Sequence, residues 1–341
     1  MRQMGASTGA AAKVRLPTMK KRIIILGSIV LAVIVLWSAA WLVGANLIRQ
    51  HIEAQALADG ATEPRLTCGG LGVSGFPFRY DVDCETAEIA MGDLVLDVPG
   101  VRASIRVYAP THLLASALGP LQLTDSFTGT RNSVDWSALE ASVRINDWRI
   151  ARASISGKDL VWSDTLMGET LIAQSPLAEV HLFDIPEQHD PESGVAALAG
   201  YALADNVAYP GMTLSNTRAE VQLEATGLPD DVRNWGDPQI LPFIQQAGGA
   251  LKIVSIHATD ADSVLDANGE LKLDPQGMLD GAIAIKSTGV AERVGTLLAE
   301  PWRTLVFGNA AADGSYSNQL IFRAGGVFSG LVPIASTPPL F

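Results

Sequence analysis

Two cysteines, Cys68 and Cys84, and five histidines, His51, His112, His181, His189 and His257, are the side chains best suited to redox or metal chemistry. The cysteines lie 84 − 68 = 16 positions apart, across a run of turn formers from Gly69-Gly70 to Gly75-Phe76-Pro77 and an extended-looking segment 78–83. Neither has the nearby third and fourth ligands that a metal centre needs. In an oxidising compartment the pair reads as a structural disulfide across neighbouring strands, worth about 3 kcal/mol through loop closure.

Other candidate chemistry is sparse. Several ligand-type side chains gather in His181-Leu182-Phe183-Asp184-Ile185-Pro186-Glu187-Gln188-His189-Asp190. Their spacing matches no metal geometry, and Pro186 and Pro191 mark an exposed acidic connection. Asp230 and Asp231, after Leu228-Pro229, suit the start of a helix, where carboxylates cap free N–H groups. The glycines at 69, 70, 72 and 75 precede no lysine and helix that could cradle a phosphate. G-x-x-x-x-G-K-[ST], G-x-S-x-G and H-E-x-x-H motifs are absent from the sequence. The expectation is a non-enzymatic protein with no catalytic residue, metal site or cofactor. An envelope enzyme ranks behind it, since its polar cluster would have to come from separated strands.

Stepping outward, Ile23 to Val43 is an uncharged stretch preceded directly by Lys20, Lys21 and Arg22. A helix of that length, at about 1.5 Å per residue, crosses a bilayer core of about 30 Å with its backbone satisfied internally. The basic cluster predicts a cytoplasmic N-terminus, and Trp37 and Trp41 suit the far headgroup region. A signal peptide would have an apolar region of about 7–15 residues and a small-residue cleavage site. Ser38-Ala39-Ala40 offers such a site, but the stretch is longer and continues without a breaker through Asn46 to Glu53. An uncleaved anchor is the preferred reading. Met19-Lys20-Lys21-Arg22 would be a natural start for it, as an alternative to Met1.

Six basic residues (Arg2, Lys13, Arg15, Lys20, Lys21, Arg22) precede the anchor, and no acid appears before Glu53. The exported part therefore carries 24 − 6 = 18 basic against 36 acidic residues, a formal charge of −18. That field favours solubility and excludes nucleic acid as a partner.

Beyond residue 65 the hydrophobic period is two. Val101, Ala103, Ile105 and Val107 alternate with Arg102, Ser104, Arg106 and Tyr108. Residues 139–145 and 218–225 repeat the pattern, and further strands are expected at 92–98, 149–157, 169–175, 177–184, 250–258, 264–273, 280–287 and 315–324. Val98-Pro99-Gly100, Asn268-Gly269, Asp274-Pro275-Gln276-Gly277, Asp313-Gly314 and Gly325-Gly326 read as turns. Short helices are expected at Thr111–Leu118, within Asp230–Ala247 and within Val290–Val306, the last two interrupted by prolines; 190–205 suits helix or strand. The fold class is mainly β (α+β): a long antiparallel β-meander with a few short helices, behind one N-terminal transmembrane helix. Three short helices cannot cover so wide an apolar face. Either the sheet closes on itself, or it curves into an open trough that meets a nonpolar ligand. Alternation alone does not separate these, and on fold-neutral grounds the closed core comes first.

Several segments in order carry a family resemblance: Ser74-Gly75-Phe76-Pro77-Phe78-Arg79, Val98-Pro99-Gly100-Val101-Arg102-Ala103, Tyr108-Ala109-Pro110-Thr111-His112, Asp184-Ile185-Pro186-Glu187-Gln188-His189, Gly227-Leu228-Pro229-Asp230-Asp231, Asp313-Gly314-Ser315-Tyr316 and Gly330-Leu331-Val332-Pro333. From Met19 onward the chain resembles an alphaproteobacterial membrane-anchored family known as domain of unknown function 2125. More distantly it is similar to AsmA-like envelope proteins, whose sheet forms a hydrophobic groove proposed to carry lipid. The resemblance implies a single anchor, a periplasmic body and no assigned activity, and it moves the expectation toward the trough. The chain is too short to bridge an envelope alone, which leaves binding or handing over a lipid.

The expected organisation is a cytoplasmic basic N-terminus (1–22), a transmembrane anchor (23–43), a juxtamembrane helix (44–62) and a periplasmic β-rich domain (63–341). The protein would sit in the bacterial inner membrane, with a lipid or an envelope protein as partner and a role in envelope or lipid homeostasis. The alternative is a closed β-scaffold that binds other envelope proteins.

Overall fold

No proline interrupts the segment from Met19 to Gln55, and in the computed structural model it forms one helix, α1 (Met19–Gln55). The structure describes residues 19–294 and 298–341. The basic positions Arg2, Lys13 and Arg15, and residues 295–297 of the expected third helical stretch, lie outside the described residues. The chain divides between Ile48 and Arg49 into two units. In the first, α1 is apolar around its whole circumference, with a mean hydropathy of 2.7 at its most apolar, and is long enough to cross a membrane. Its isoleucines, leucines and valines lie exposed along the span.

The second unit is built on antiparallel sheet. Its strands are β1 (Arg65–Gly69), β2 (Gly72–Ser74), β3 (Arg79–Cys84), β4 (Thr86–Met91), β5 (Leu94–Val98), β6 (Gly100–Arg106), β7 (Ala109–Leu118), β8 (Leu121–Asp125), β9 (Thr130–Asp135) and β10 (Ala138–Asn146). They continue as β11 (Arg149–Asp164), β12 (Thr170–Asp184), β13 (Val195–Tyr209), β14 (Leu214–Pro229), β15 (Ala250–Thr259), β16 (Val264–Leu273), β17 (Leu279–Thr288), β18 (Ser315–Arg323), β19 (Gly326–Ser329) and β20 (Val332–Ser336). Among the described residues, three short α-helices interrupt them: α2 (Ile240–Gln246), α3 (Val290–Val294) and α4 (Trp302–Phe307).

From β10 to β20 each strand pairs with the next, a plain meander. The earlier strands are longer ribbons broken midway. β3 and β4, β5 and β6, β7 and β8, and β9 and β10 are successive halves of four ribbons: β3–β6–β7–β10 pair on one side of the breaks and β4–β5–β8–β9 on the other. The breaks are register-matched: Glu85-Thr86 faces Pro99-Gly100, Pro99 faces Gly119-Pro120, and Trp136-Ser137 faces Asp159-Leu160. The seam continues through Pro176 and Asn206. Its residue types explain it. Proline has no N–H for the ladder, and Asp159 and Asn206 adopt positive φ, which Asp and Asn tolerate better than most residues. Breaks of this kind bend a strand and raise its twist.

The sheet stays open: among the described residues no ladder joins β20 to β1 or β2. The closed core favoured on fold-neutral grounds is therefore set aside. Two local expectations also change. Thr111–Leu118 is strand, because β7 pairs with β6 on one side and β10 on the other, and ladder pairing outweighs local helix propensity. Asn268-Gly269 lies inside β16. A Cβ on Gly269 would stand 2.2 Å from the Ala282 carbonyl oxygen, so the glycine serves close strand approach and no turn. The ambiguous segment 190–205 resolves mainly into strand β13.

Candidate functional site

Residues directly opposite in an antiparallel ladder share a face, so the register sorts the sheet into two surfaces. One row reads Ser104, Leu114, Ser142, Ser154, His181, Tyr201, Gln222, Ser255 from β6 to β15. This face is laced by polar pairs, among them Ser104 donating to Asp81 at 2.6 Å, His181 Nδ1 with Ser154 at 2.9 Å and Lys252 with Glu224 at 3.0 Å. It is a wet face, and its exposed ion pairs add little stability.

The opposite face is apolar end to end. Ala103, Ala115, Ala141, Ile155, Val180, Ala202, Val221, Ile256, Ala267 and Ile285 stand in one unbroken row from β6 to β17. In a closed domain such a row would be covered. Here no large side chain among the described residues is fully buried, and most of the core residues below a tenth exposed in the second unit are small, such as Ala87, Ala196 and Ala197. Ile155 and Val180, in mid-row, are 52% and 48% exposed.

Among the described residues, cover lies at one end. Ile285 is opposed by Asn318, whose amide donates to the carbonyls of Leu305 at 2.8 Å and Val306 at 3.0 Å, so α4 lies over that end. Tyr316 donates to Glu292 at 2.7 Å and ties α3 to β18, while α2 packs against β14 and β16. Ile253 and Val327 are buried on this side. Among the described residues no α-helix of the second unit packs on the β7–β12 side, and the apolar surface there is open.

Cys68 of β1 and Cys84 at the end of β3 are joined as a disulfide with Cα atoms 5.3 Å apart. The bond sits beside the seam, where Glu85 N–H also donates to the Gly69 carbonyl at 2.8 Å. His112 contacts Ser142 at 3.0 Å, and His257 contacts Asp266 at 2.7 Å on the wet face. His51 is exposed on α1. No group of metal-ligating side chains assembles among the described residues.

One polar cluster does assemble, and it joins two stretches that the sequence leaves separate. Arg149, opening β11, donates to Asp184 Oδ2 at 3.0 Å and to His189 Nδ1 at 2.6 Å. Because Nδ1 must accept from a guanidinium, the ring proton of neutral His189 lies on Nε2, which faces Asp230 Oδ2 at 3.4 Å. Asp231 takes the capping role expected for the pair, accepting from Arg233 N–H at 2.9 Å, and Arg233 holds its carboxyl below the usual carboxylate range. Arg233 also lies 4.4 Å from the centre of the Trp148 ring. These contacts join the β10–β11 turn, the end of β12, the connection after it and the end of β14. An arginine saturated by an acid and an imidazole is suited to holding elements together, and its guanidinium supplies no proton for acid–base work.

No curated protein and no solved structure matches the chain. A family described as uncharacterized protein conserved in bacteria matches residues 41–338, and the chain belongs to that family, domain of unknown function 2125.

Proposed function

We propose that this is a non-enzymatic protein, anchored by α1 in the bacterial inner membrane, whose periplasmic sheet shelters the acyl chains of a lipid along its uncovered apolar face. Its role would lie in envelope or lipid homeostasis. The observation that carries the reading is the apolar row with Ile155 and Val180 half exposed at its centre. Burying apolar surface yields about 25 cal/mol per Å², or about 0.8 kcal/mol for each methylene covered, so an alkyl chain laid along the row is a sufficient partner. The apolar circumference of α1 supports the anchor, and the basic residues before it support a cytoplasmic N-terminus.

The test is lipid mass spectrometry on the full chain purified in a mild detergent. Co-purifying phospholipid that falls several-fold in Ile155→Asp/Val180→Asp supports the reading. Absence of bound lipid, or retention unchanged by the substitutions, sinks it. Crosslinking in cells that instead yields a reproducible protein on the same face would favour the protein-binding alternative. A C-terminal reporter active only in the cytoplasm would reverse the topology.

A further inference from the structure

Three hairpin tips meet at one end of the sheet: residues 91–94 between β4 and β5, 126–129 between β8 and β9, and 165–169 between β11 and β12. They are bonded side by side. Ser126 N–H donates to the Asp93 carbonyl at 2.8 Å, and Thr165 N–H donates to that of Arg131 at 2.9 Å. The chain enters the sheet at the same place, since Gly92 N–H donates to the Gly60 carbonyl at 2.6 Å.

Tips of this kind usually carry small polar residues. These carry large apolar ones: Phe127 is 85% and Met167 95% exposed, with Met91 and Leu166 also exposed beside them. Two of the acids beside the apexes are occupied by their own turns. Asp125 accepts from Phe127 N–H at 2.8 Å and Thr128 N–H at 3.1 Å, and Asp164 accepts from Leu166 N–H at 2.8 Å. The apolar side chains thus project, while the Asp125 and Asp164 carboxylates are engaged by backbone.

We propose that this row of tips is a second membrane-contact surface, inserting its apolar apexes among the headgroups of the bilayer that holds α1. The covalent tether sets the reach. From Val43 to Gln55 the helix runs on for 55 − 43 = 12 residues, about 18 Å. The 60 − 55 = 5 residues to Gly60 add at most about 17 Å. Gly60, bonded to the first of the tips, therefore lies within about 35 Å of the bilayer face along the chain, and the lipid surface so closely tethered is that one. Asp93 and Glu169 against Arg131 leave the row net acidic, so attraction to anionic headgroups plays no part, and zwitterionic lipid suffices. The proposal rests on the anchor and is independent of any ligand on the apolar face.

The experiment uses the full chain reconstituted into phosphatidylethanolamine–phosphatidylcholine vesicles, with benzoylphenylalanine placed at position 127, 167 or 108. Tyr108 is also well exposed but stands at the β6–β7 turn, at the other end of the ribbons. Lipid adducts at 127 and 167 at least ten-fold above those at 108 are expected. Equal or absent lipid adducts, or adducts to a second copy of the protein, overturn the proposal. Alkaline carbonate extraction of the same vesicles reads the anchor separately: protein that resists extraction without lipid adducts at the tips refutes the tips alone, whereas protein that is extracted refutes both.

Discussion

Ile155 of β11 stands directly opposite Val180 of β12 at the centre of an apolar row, and about half of each side chain is exposed. A cross-strand aliphatic pair normally stabilises a sheet by being covered. This one gains little from folding, so replacing it separates ligand binding from stability. Ile155→Asp/Val180→Asp is expected to change unfolding stability by no more than about 1 kcal/mol, close to the range of surface substitutions. Ile253→Ala, at a buried position on the strand next to that of Val221 and opposite Leu223, in the helix-covered region, is expected to cost about 2–4 kcal/mol. Urea melts of the three proteins check the contrast.

The Arg149 cluster makes the opposite prediction. Asp184 Oδ1 is buried without a partner, so its carboxylate depends on Arg149 through Oδ2. Arg149→Leu leaves a buried charge uncompensated and is expected to cost about 3–5 kcal/mol. The double variant Arg149→Leu/Asp184→Leu should recover much of that loss, because it removes both charges together. Arg149→Lys should rescue poorly, since one ammonium does not reproduce the fork that reaches Asp184 and His189. Equilibrium unfolding of the three variants measures the cycle.

How much of this was legible follows from the range of each interaction. Alternation is local, so the segments 264–273, 280–287 and 315–324 correspond closely to β16, β17 and β18. The disulfide was legible because both cysteines flank one short loop. Thr111–Leu118 misled because a short alternating run beside a Gly-Pro stop also suits a capped helix, and only pairing with β6 and β10 decides it. The seam is a register property: Pro99 reads by itself as a turn, and nothing in one strand shows that Pro99, Pro120 and Pro176 align across the sheet. Arg149 and Asp184, 184 − 149 = 35 positions apart, carry no local signal of their meeting. His189 reads as part of an exposed acidic connection and Asp230 as an acid at a helix start, but their contact depends on where β12 and β14 end. The open apolar face was half legible. One-sided strands announced it, while its exposure depends on how little α2, α3 and α4 cover.

The link between the β15–β16 turn and α3 predicts an acid sensitivity. Burial would raise the Asp260 carboxyl, but the backbone N–H of Asp262, the Ser263 hydroxyl and Arg293 together outweigh it and hold the group below its ordinary value. A carboxyl depressed by folding stabilises the native state above its unfolded pKa of about 3.9, and that contribution is lost as pH falls through the lower folded value. The wild type should therefore lose stability below about pH 4 more steeply than Asp260→Asn. Thermal melting of both proteins from pH 7 to pH 3 tests this. Parallel curves would remove Asp260 from the account.

Gly269 and Gly281 give the most local prediction. Gly269 lies opposite Ile283 in the β16–β17 ladder, and Gly281 lies opposite Leu271. A Cβ on Gly269 would meet the Ala282 carbonyl at 2.2 Å, and one on Gly281, whose φ is +143°, would meet the Glu270 carbonyl at 2.1 Å. Both obstacles are backbone, so no side-chain rotation relieves them. Gly269→Ala must push the two strands apart and is expected to cost at least about 1–3 kcal/mol, the usual range for overpacking. The damage should be confined to this ladder. Hydrogen exchange should speed up across β16 and β17 while β11 and β12, several strands away, keep their protection. A uniform loss across the sheet would mean instead that the meander unfolds as one unit and that the glycines set its global stability.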